Sequence, residues 1–369
     1  MWLMVACACG IVVGGIGLAL EFARSARDGW MWLVVDFVIF WGAASGIFCW
    51  AAAFRVAQAR WSSVVSRFAL SAFAFTPVLV VLLAVLLVGV RHYMPWVEHP
   101  VQGKEAWLNP TAFVIREVIA ALLFWVSGWL FVRRSLAADA KAEITDADHH
   151  RLNVAAAIVV AAYAVTATII AWDFIMSLSP MWVSTMFSVY YFMTSAYMGL
   201  AAIIIIATGL RKPLEVEDKL KPAQFHDLGN LLLAFSLFNM GLFFAQYLTI
   251  WYGNLPHEAP FIILRYAKGT WPPLGWASFI IAYAIPFVLL QSRKIKLTPW
   301  MLCAVAAVVE IGVGMERYVL VAPSMKPNLT VSPYGALSLV GFFAILMLCR
   351  IRFLYTYSPI SKADEVLGE

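Results

Sequence analysis

The sequence predicts an all-α integral membrane protein, and three observations carry that prediction. Of its 369 residues 63% are hydrophobic and only 13% are charged, the mean hydropathy is +0.83, and the apolar residues fall into long runs parted by short polar stretches. A run of about 20 apolar residues crosses the hydrocarbon layer as a helix, which satisfies every backbone hydrogen bond within itself. This composition excludes a soluble globular domain. The formal charge of +5 is not gathered into a basic run, so no nucleic-acid partner is expected.

In chain order the apolar runs predict ten spans, at about 2–23, 30–54, 66–90, 111–132, 152–178, 183–208, 229–252, 271–292, 298–319 and 332–350, forming one polytopic domain over 1–369. The first run has no charged leader and is long enough to stay as a span, so no cleaved signal peptide is expected. In the seventh, Asp227 and Gly229 sit where a helix can begin, Trp251 and Tyr252 mark the far interface, and Gly253, Asn254 and Pro256 signal a turn. At about 100° per residue, Ser236, Asn239 and Gln246 form one stripe on that span, facing other helices either as hydrogen-bonding glue or as part of a polar path.

Orientation follows from the basic residues. Counted over the predicted loops, seventeen Lys and Arg fall on the side of both termini and eight on the other. Both termini are therefore expected to be cytoplasmic. The loops around 133–151 and 211–228 mix both signs and read as solvated surface. The opposite loops, 91–110 and 253–273, are rich in Trp, Tyr, Pro and His, and read either as docking surface or as an interfacial aromatic belt.

The chemistry open to the spans is limited by what they hold. A buried haem b requires two intramembrane histidines, yet His92, His99, His149, His150, His226 and His257 all lie in or beside loops, and no CxxCH is present for haem c. The cysteines Cys7, Cys9, Cys49, Cys303 and Cys349 make no CxxC pair and read as small apolar packing residues. No metal ligand set and no covalent cofactor are expected. The charged residues inside the spans, Asp36, Arg116, Glu117, Asp173 and Glu310, carry the strongest functional signal, because each is costly in hydrocarbon unless paired or watered. Four acids and one base are predicted to share one half of the membrane. Tyr163 and Thr166 on the fifth span, with Ser188, Tyr191 and Ser195 on the sixth and Asn239 and Gln246 on the seventh, are candidate polar lining. Such an interior suits either proton movement or neutral structural packing; of the four acids, Glu310 is the expected carrier, and the acid within reach of Arg116 the expected anchor.

Two motifs resemble a known family. From His226 the pattern H-D-L-G-x-L-L-x-A-F, then A-Q-Y-x-x-I-W-Y-G-N-L-P ending at Pro256, is similar to membrane subunits of alternative complex III, a bacterial quinol:cytochrome c oxidoreductase. Asp173, Phe174, Ser177, Leu178, Pro180, Trp182, Ser184, Thr185, Met186 and Phe187 resemble the same family's fifth-to-sixth helix hairpin. The likeness is to the second of that complex's two multi-span subunits, which are related to the polysulfide-reductase and nitrite-reductase (NrfD-like) membrane anchors. At Asn230 and His257 the chain departs from the pattern, which has a basic and an acidic residue there. The resemblance implies two antiparallel four-helix bundles, spans 2–5 and 6–9, with flanking helices. It also implies a multi-pass subunit of a bacterial inner membrane complex with iron-sulfur, c-type cytochrome and sister multi-span partners. On this reading the chain is a scaffold and candidate proton pathway for a respiratory or photosynthetic complex, with lipids and menaquinone or another quinone as the small molecules it meets. With no intramembrane histidine, it is not expected to hold the main quinol-oxidising site. The alternatives are a subunit that binds quinone in its own right, and a stand-alone secondary transporter, which calls for broken helices at the midplane and an inverted repeat.

Overall fold

The computed structural model describes residues 2–59, 61–141 and 143–365. It is 81% helical without strands among these residues, an all-α fold with nine helices long and apolar enough to cross a membrane. The helices in order are α1 (Trp2–Arg24), α2 (Ala26–Val56), α3 (Ser63–Leu70), α4 (Thr76–Val88), α5 (Pro95–Glu98), α6 (Pro110–Asp139), α7 (Asp146–Phe174), α8 (Thr185–Leu210) and α9 (Pro222–Gly253), followed by α10 (Ala259–Tyr266), α11 (Pro272–Phe279), α12 (Ile285–Leu289), α13 (Arg293–Leu297), α14 (Pro299–Met325), α15 (Pro333–Thr356) and α16 (Lys362–Glu365). A 3₁₀ turn, Ser71–Phe75, joins α3 to α4, and a π turn, Ile280–Ala284, joins α11 to α12, so each pair makes one span. The nine do not include α14, which is 27 residues long and carries Glu310, Glu316 and Arg317.

Local chemistry sets the helix ends. Pro110 opens α6 behind Asn109, whose Oδ1 accepts from Ala112 N at 2.8 Å, and Ser184 caps α8 by accepting from Phe187 N at 3.2 Å. The seventh predicted span starts earlier than Asp227: Pro222 occupies the first turn of α9, where its missing N–H costs nothing. It stops at the turn expected from sequence, with Asn254 left-handed at φ 44°.

Two rings of helices are built side by side. In one, α2, α3 with α4, α6 and α7 pack on one another; in the other, α8, α9, α11 with α12, and α14 do so. The rings meet where α2 lies along α8, and α1 and α15 pair against α2 as flanking helices. Nearly all of α2 is buried, so it is the central element of the molecule. Its approach to α8 is a backbone contact: a Cβ on Gly199 would collide with the backbone of Gly46 and Ile47. Trp50 Nε1 to Ala196 O at 2.7 Å and Tyr191 Oη to Val38 O at 2.9 Å tie the same crossing. Small residues at such crossings give apolar helices close dispersion contact that lipid cannot match.

The helix containing Glu310 runs past its predicted end at 319 to Met325, through Pro323. Proline at 323 cannot donate to Val319 O. Arg265 of α10, 1% exposed, supplies that donor from Nε at 3.0 Å and also donates to Leu320 O at 2.7 Å, Ser324 Oγ at 2.7 Å and Phe261 O at 2.9 Å. One guanidinium thus splices a proline-broken helix end to the loop beside it. Arg265→Ala is expected to leave Val319 O and Leu320 O without these donors at about 1–3 kcal/mol each. The check is a lowered thermal unfolding temperature in detergent; unchanged unfolding would count against this role.

Burial also corrects the charge map. Arg67, Arg317 and Arg350, assigned to loops or span edges by composition, are 1%, 0% and 1% exposed within α3, α14 and α15. Without these three and the other buried bases, Arg55, Arg265 and Lys296, the count is thirteen against six, with the same sign.

Candidate functional site

Charged side chains inside the helices gather at several places, not one. The first lies where α6 and α7 meet the 93–109 loop. Arg116 sits near the start of α6 and Asp173 near the end of α7, so antiparallel packing brings them to one level. Arg116 Nε and Nη2 donate to the two Asp173 oxygens, each at 2.8 Å, in a bidentate fork. Trp107 closes the arrangement: its ring lies 3.8 Å under the guanidinium, its Nε1 donates to Asp173 Oδ1 at 3.1 Å, and its carbonyl accepts from Arg116 at 3.3 Å. The anchor acid is therefore Asp173. Glu117 is fully buried beside it, its carboxyl against that of Asp173, and no N–H or hydroxyl donates to either of its oxygens.

Asp36 does not join that group. It is fully buried on α2, where Oδ2 accepts from Ser338 Oγ of α15 at 2.6 Å and Oδ1 has no partner. Glu310 stands apart on α14, half-buried, its Oε1 also without a hydrogen-bond partner. The shared acid cluster expected from sequence is thus divided, because Asp36 meets Ser338 of α15 and Glu310 lies near Arg350 of α15 and the Ala202 backbone of α8, whereas Glu117 and Asp173 meet between α6 and α7.

A further cluster centres on Glu316 and Tyr283, which were not singled out from sequence. Glu316, 1% exposed on α14, accepts from Tyr283 Oη at 2.5 Å, and Tyr190 Oη lies 3.3 Å from Tyr283 Oη. Arg317 beside it donates to Tyr191 O and Ser195 Oγ, each at 3.1 Å, and to Thr194 Oγ1. The missed signal was Pro323: ending the span at 319 put Glu316 and Arg317 at a membrane edge, whereas the spliced helix carries them about two turns inside its end.

The polar lining residues are all enclosed, but most are spent on backbone. Tyr163 donates to Phe192 O at 2.6 Å and Thr166 to Ala120 O at 3.0 Å, tying α7 to α8 and to α6. Ser188, Ser195 and Asn239 donate to carbonyls of their own helices, and Tyr191 to Val38 O of α2. Gln246 differs: its Oε1 accepts from Ser184 Oγ at 2.7 Å, linking α9 to the α7–α8 turn. Asn230, where the family pattern has a basic residue, receives the Lys296 ammonium on its Oδ1 at 2.8 Å.

Beside the Arg116–Asp173 fork lies a cavity of about 420 Å³ walled by Trp107, Leu108, Trp172, Met176, Trp182 and Ser184, among others. The indole nitrogens of Trp172 and Trp182 are buried without an acceptor. Among the described residues, no three His, Cys, Asp or Glu side chains are placed to hold a metal ion. No protein-family model and no curated protein matches the sequence.

Proposed function

We propose that this chain is an integral membrane subunit of a quinol:electron-acceptor oxidoreductase of the alternative complex III type, acting as scaffold and proton pathway. Its partners on this reading are iron-sulfur, c-type cytochrome and sister multi-span subunits in a bacterial inner membrane. The motifs at His226–Pro256 and Asp173–Phe187 support the family. The observation that carries the proton role is Glu117, buried with its carboxyl against Asp173, which Arg116 already neutralises, and with no N–H or hydroxyl donating to it. A carboxyl placed so is costly as an anion and gains by taking a proton, which is the property a relay requires.

A second reading, quinone binding by the chain itself, is favoured by the cavity beside the fork. Its size suits a small-molecule ligand, and its walls are largely indole, thioether and aliphatic, which suits an apolar ring such as a quinone's. A stand-alone transporter has weaker support. The π turn does interrupt a span, but Ala282 O and Tyr283 O there accept from Tyr197 Oη at 2.9 Å and Ser236 Oγ at 3.0 Å, so these carbonyls are engaged by the protein.

Purification from native membranes tests the first reading. The chain is expected to come out with c-type haem, iron-sulfur and a sister multi-span subunit; recovery as a lone, haem-free and iron-free protein would argue for the transporter. Orientation is tested at Ala137, exposed near the end of α6. A cysteine there is expected to react with an impermeant reagent only from the cytoplasmic side, and labelling from outside would reverse the topology.

A further inference from the structure

The acids named in the proton reading leave Glu316 unused, yet its surroundings are unlike those of a structural ion pair. Where this molecule pairs an arginine with an acid for anchorage, as Arg116 with Asp173, the fork is bidentate at 2.8 Å. Arg317 stands 3.9 Å from Glu316, because adjacent residues on a helix diverge by about 100°. Its hydrogen bonds go instead to Tyr191 O, Thr194 Oγ1 and Ser195 Oγ. Glu316 Oε1 is left without a hydrogen-bond partner while Oε2 holds Tyr283 Oη at 2.5 Å.

Tyr283 is delivered to that position by an irregular backbone. The π turn Ile280–Ala284 adds a residue to the helix and rotates the segment after it, a device common at working sites. Pro286 cannot donate to Ala282 O; Tyr197 supplies a donor there at 2.9 Å, and Ser236 bonds Tyr283 O at 3.0 Å. Two other helices thus stabilise the distortion that brings Tyr283 to Glu316.

From Tyr283 the hydroxyls lead outward. Tyr190 Oη is 3.3 Å away, and Tyr190 borders a cavity of about 20 Å³ that Gln246 and Tyr266 also line. That is room for one water in a mostly apolar wall, with the Tyr190, Gln246 and Tyr266 side chains among its polar groups. Gln246 in turn holds Ser184 Oγ at 2.7 Å, and Ser184 is part of the wall of the 420 Å³ cavity.

We propose that Glu316 is a proton-binding site connected to the large cavity through Tyr283, Tyr190 and a water ordered by Gln246. It rests on the proton-pathway reading and assigns that pathway a second acid. As a proton from the large cavity adds to the water, the water gives one of its own to Tyr190 Oη, Tyr190 passes its own to Tyr283, and Tyr283 passes its own to Glu316 Oε2, so the water is restored. Each O–H bond formed is matched by one broken, no electron moves, and a buried carboxylate ends as a neutral carboxyl. The charged and titratable groups facing Glu316 are Arg317 on its own helix, Tyr283 of the π turn, Tyr190 and Tyr191 of α8 and Tyr266 of α10.

The test is infrared spectroscopy of the complex purified from native membranes, following the C=O stretch of protonated carboxyl groups through a pH titration and after transfer to D₂O. Glu316→Gln is expected to remove one titrating band. Tyr283→Phe and Tyr190→Phe, which delete a single hydroxyl each and keep the test alive should Glu316→Gln not fold, are expected to retain the band and slow its H/D exchange by at least about tenfold. Two results overturn the proposal: a carboxyl spectrum unchanged in Glu316→Gln, or exchange as fast as wild type in both phenylalanine variants. Glu117→Gln separates this inference from the reading beneath it. Turnover-linked proton movement that falls in Glu117→Gln, together with either of those two overturning results, leaves the pathway standing and removes Glu316 from it. Titration and slowed exchange at Glu316 in a protein with no proton-coupled turnover do the reverse.

Discussion

Arg116→Ala is expected to lose most of the folded protein from membranes. The substitution removes both prongs of the fork on Asp173 and the cation over the Trp107 ring, leaving a fully buried carboxylate with Trp107 Nε1 as its remaining side-chain donor. Removing one partner of a buried pair costs about 3–5 kcal/mol, a large share of the stability of most proteins. The loss reaches beyond one pair, because Trp107 and Lys104 hold the 93–109 loop against α7 and Pro180, and that loop forms one wall of the large cavity. Arg116→Lys keeps the charge but not the fork and is expected to fall between wild type and alanine. Arg116→Ala with Asp173→Asn removes the uncompensated charge and is expected to recover part of the loss. Yield and thermal unfolding in detergent measure all three. Wild-type stability in Arg116→Ala would mean that the fork contributes nothing to the fold.

Gly199→Leu is the second substitution with a large expected effect. At this crossing α2 and α8 touch through backbone, and even one added carbon meets Gly46 O at 2.7 Å. A leucine must drive the helices apart, at a cost of about 3 kcal/mol or more. Separation also pulls on the Trp50–Ala196 and Tyr191–Val38 bonds, and through Tyr191 on the carbonyl that receives Arg317. Gly199→Ala is expected to show a smaller loss of the same kind. Unfolding temperatures in the order glycine, alanine, leucine check this; leucine as stable as glycine would place the helices farther apart than described.

The all-α class was legible because its cause is local: apolar runs of bilayer length admit few structures in lipid other than helices. The polar stripe of α9 was equally legible, since Ser236, Asn239 and Gln246 share a face by helical period alone. The centrality of α2 was not, because a helix apolar all round reads the same whether lipid or protein surrounds it. Nor could spacing choose between Glu117 and Asp173 as the partner of Arg116, as that depends on the register of α6 against α7. Glu316 was hidden for a related reason. A proline reads locally as a helix end, and only the arrival of Arg265 from another part of the chain, bonding the carbonyl that Pro323 abandons, carries α14 through it. Local period and composition determined which segments are helices and which faces are polar; tertiary packing decided which buried charges meet, because a hydrogen bond between helices depends on a register that no single segment encodes.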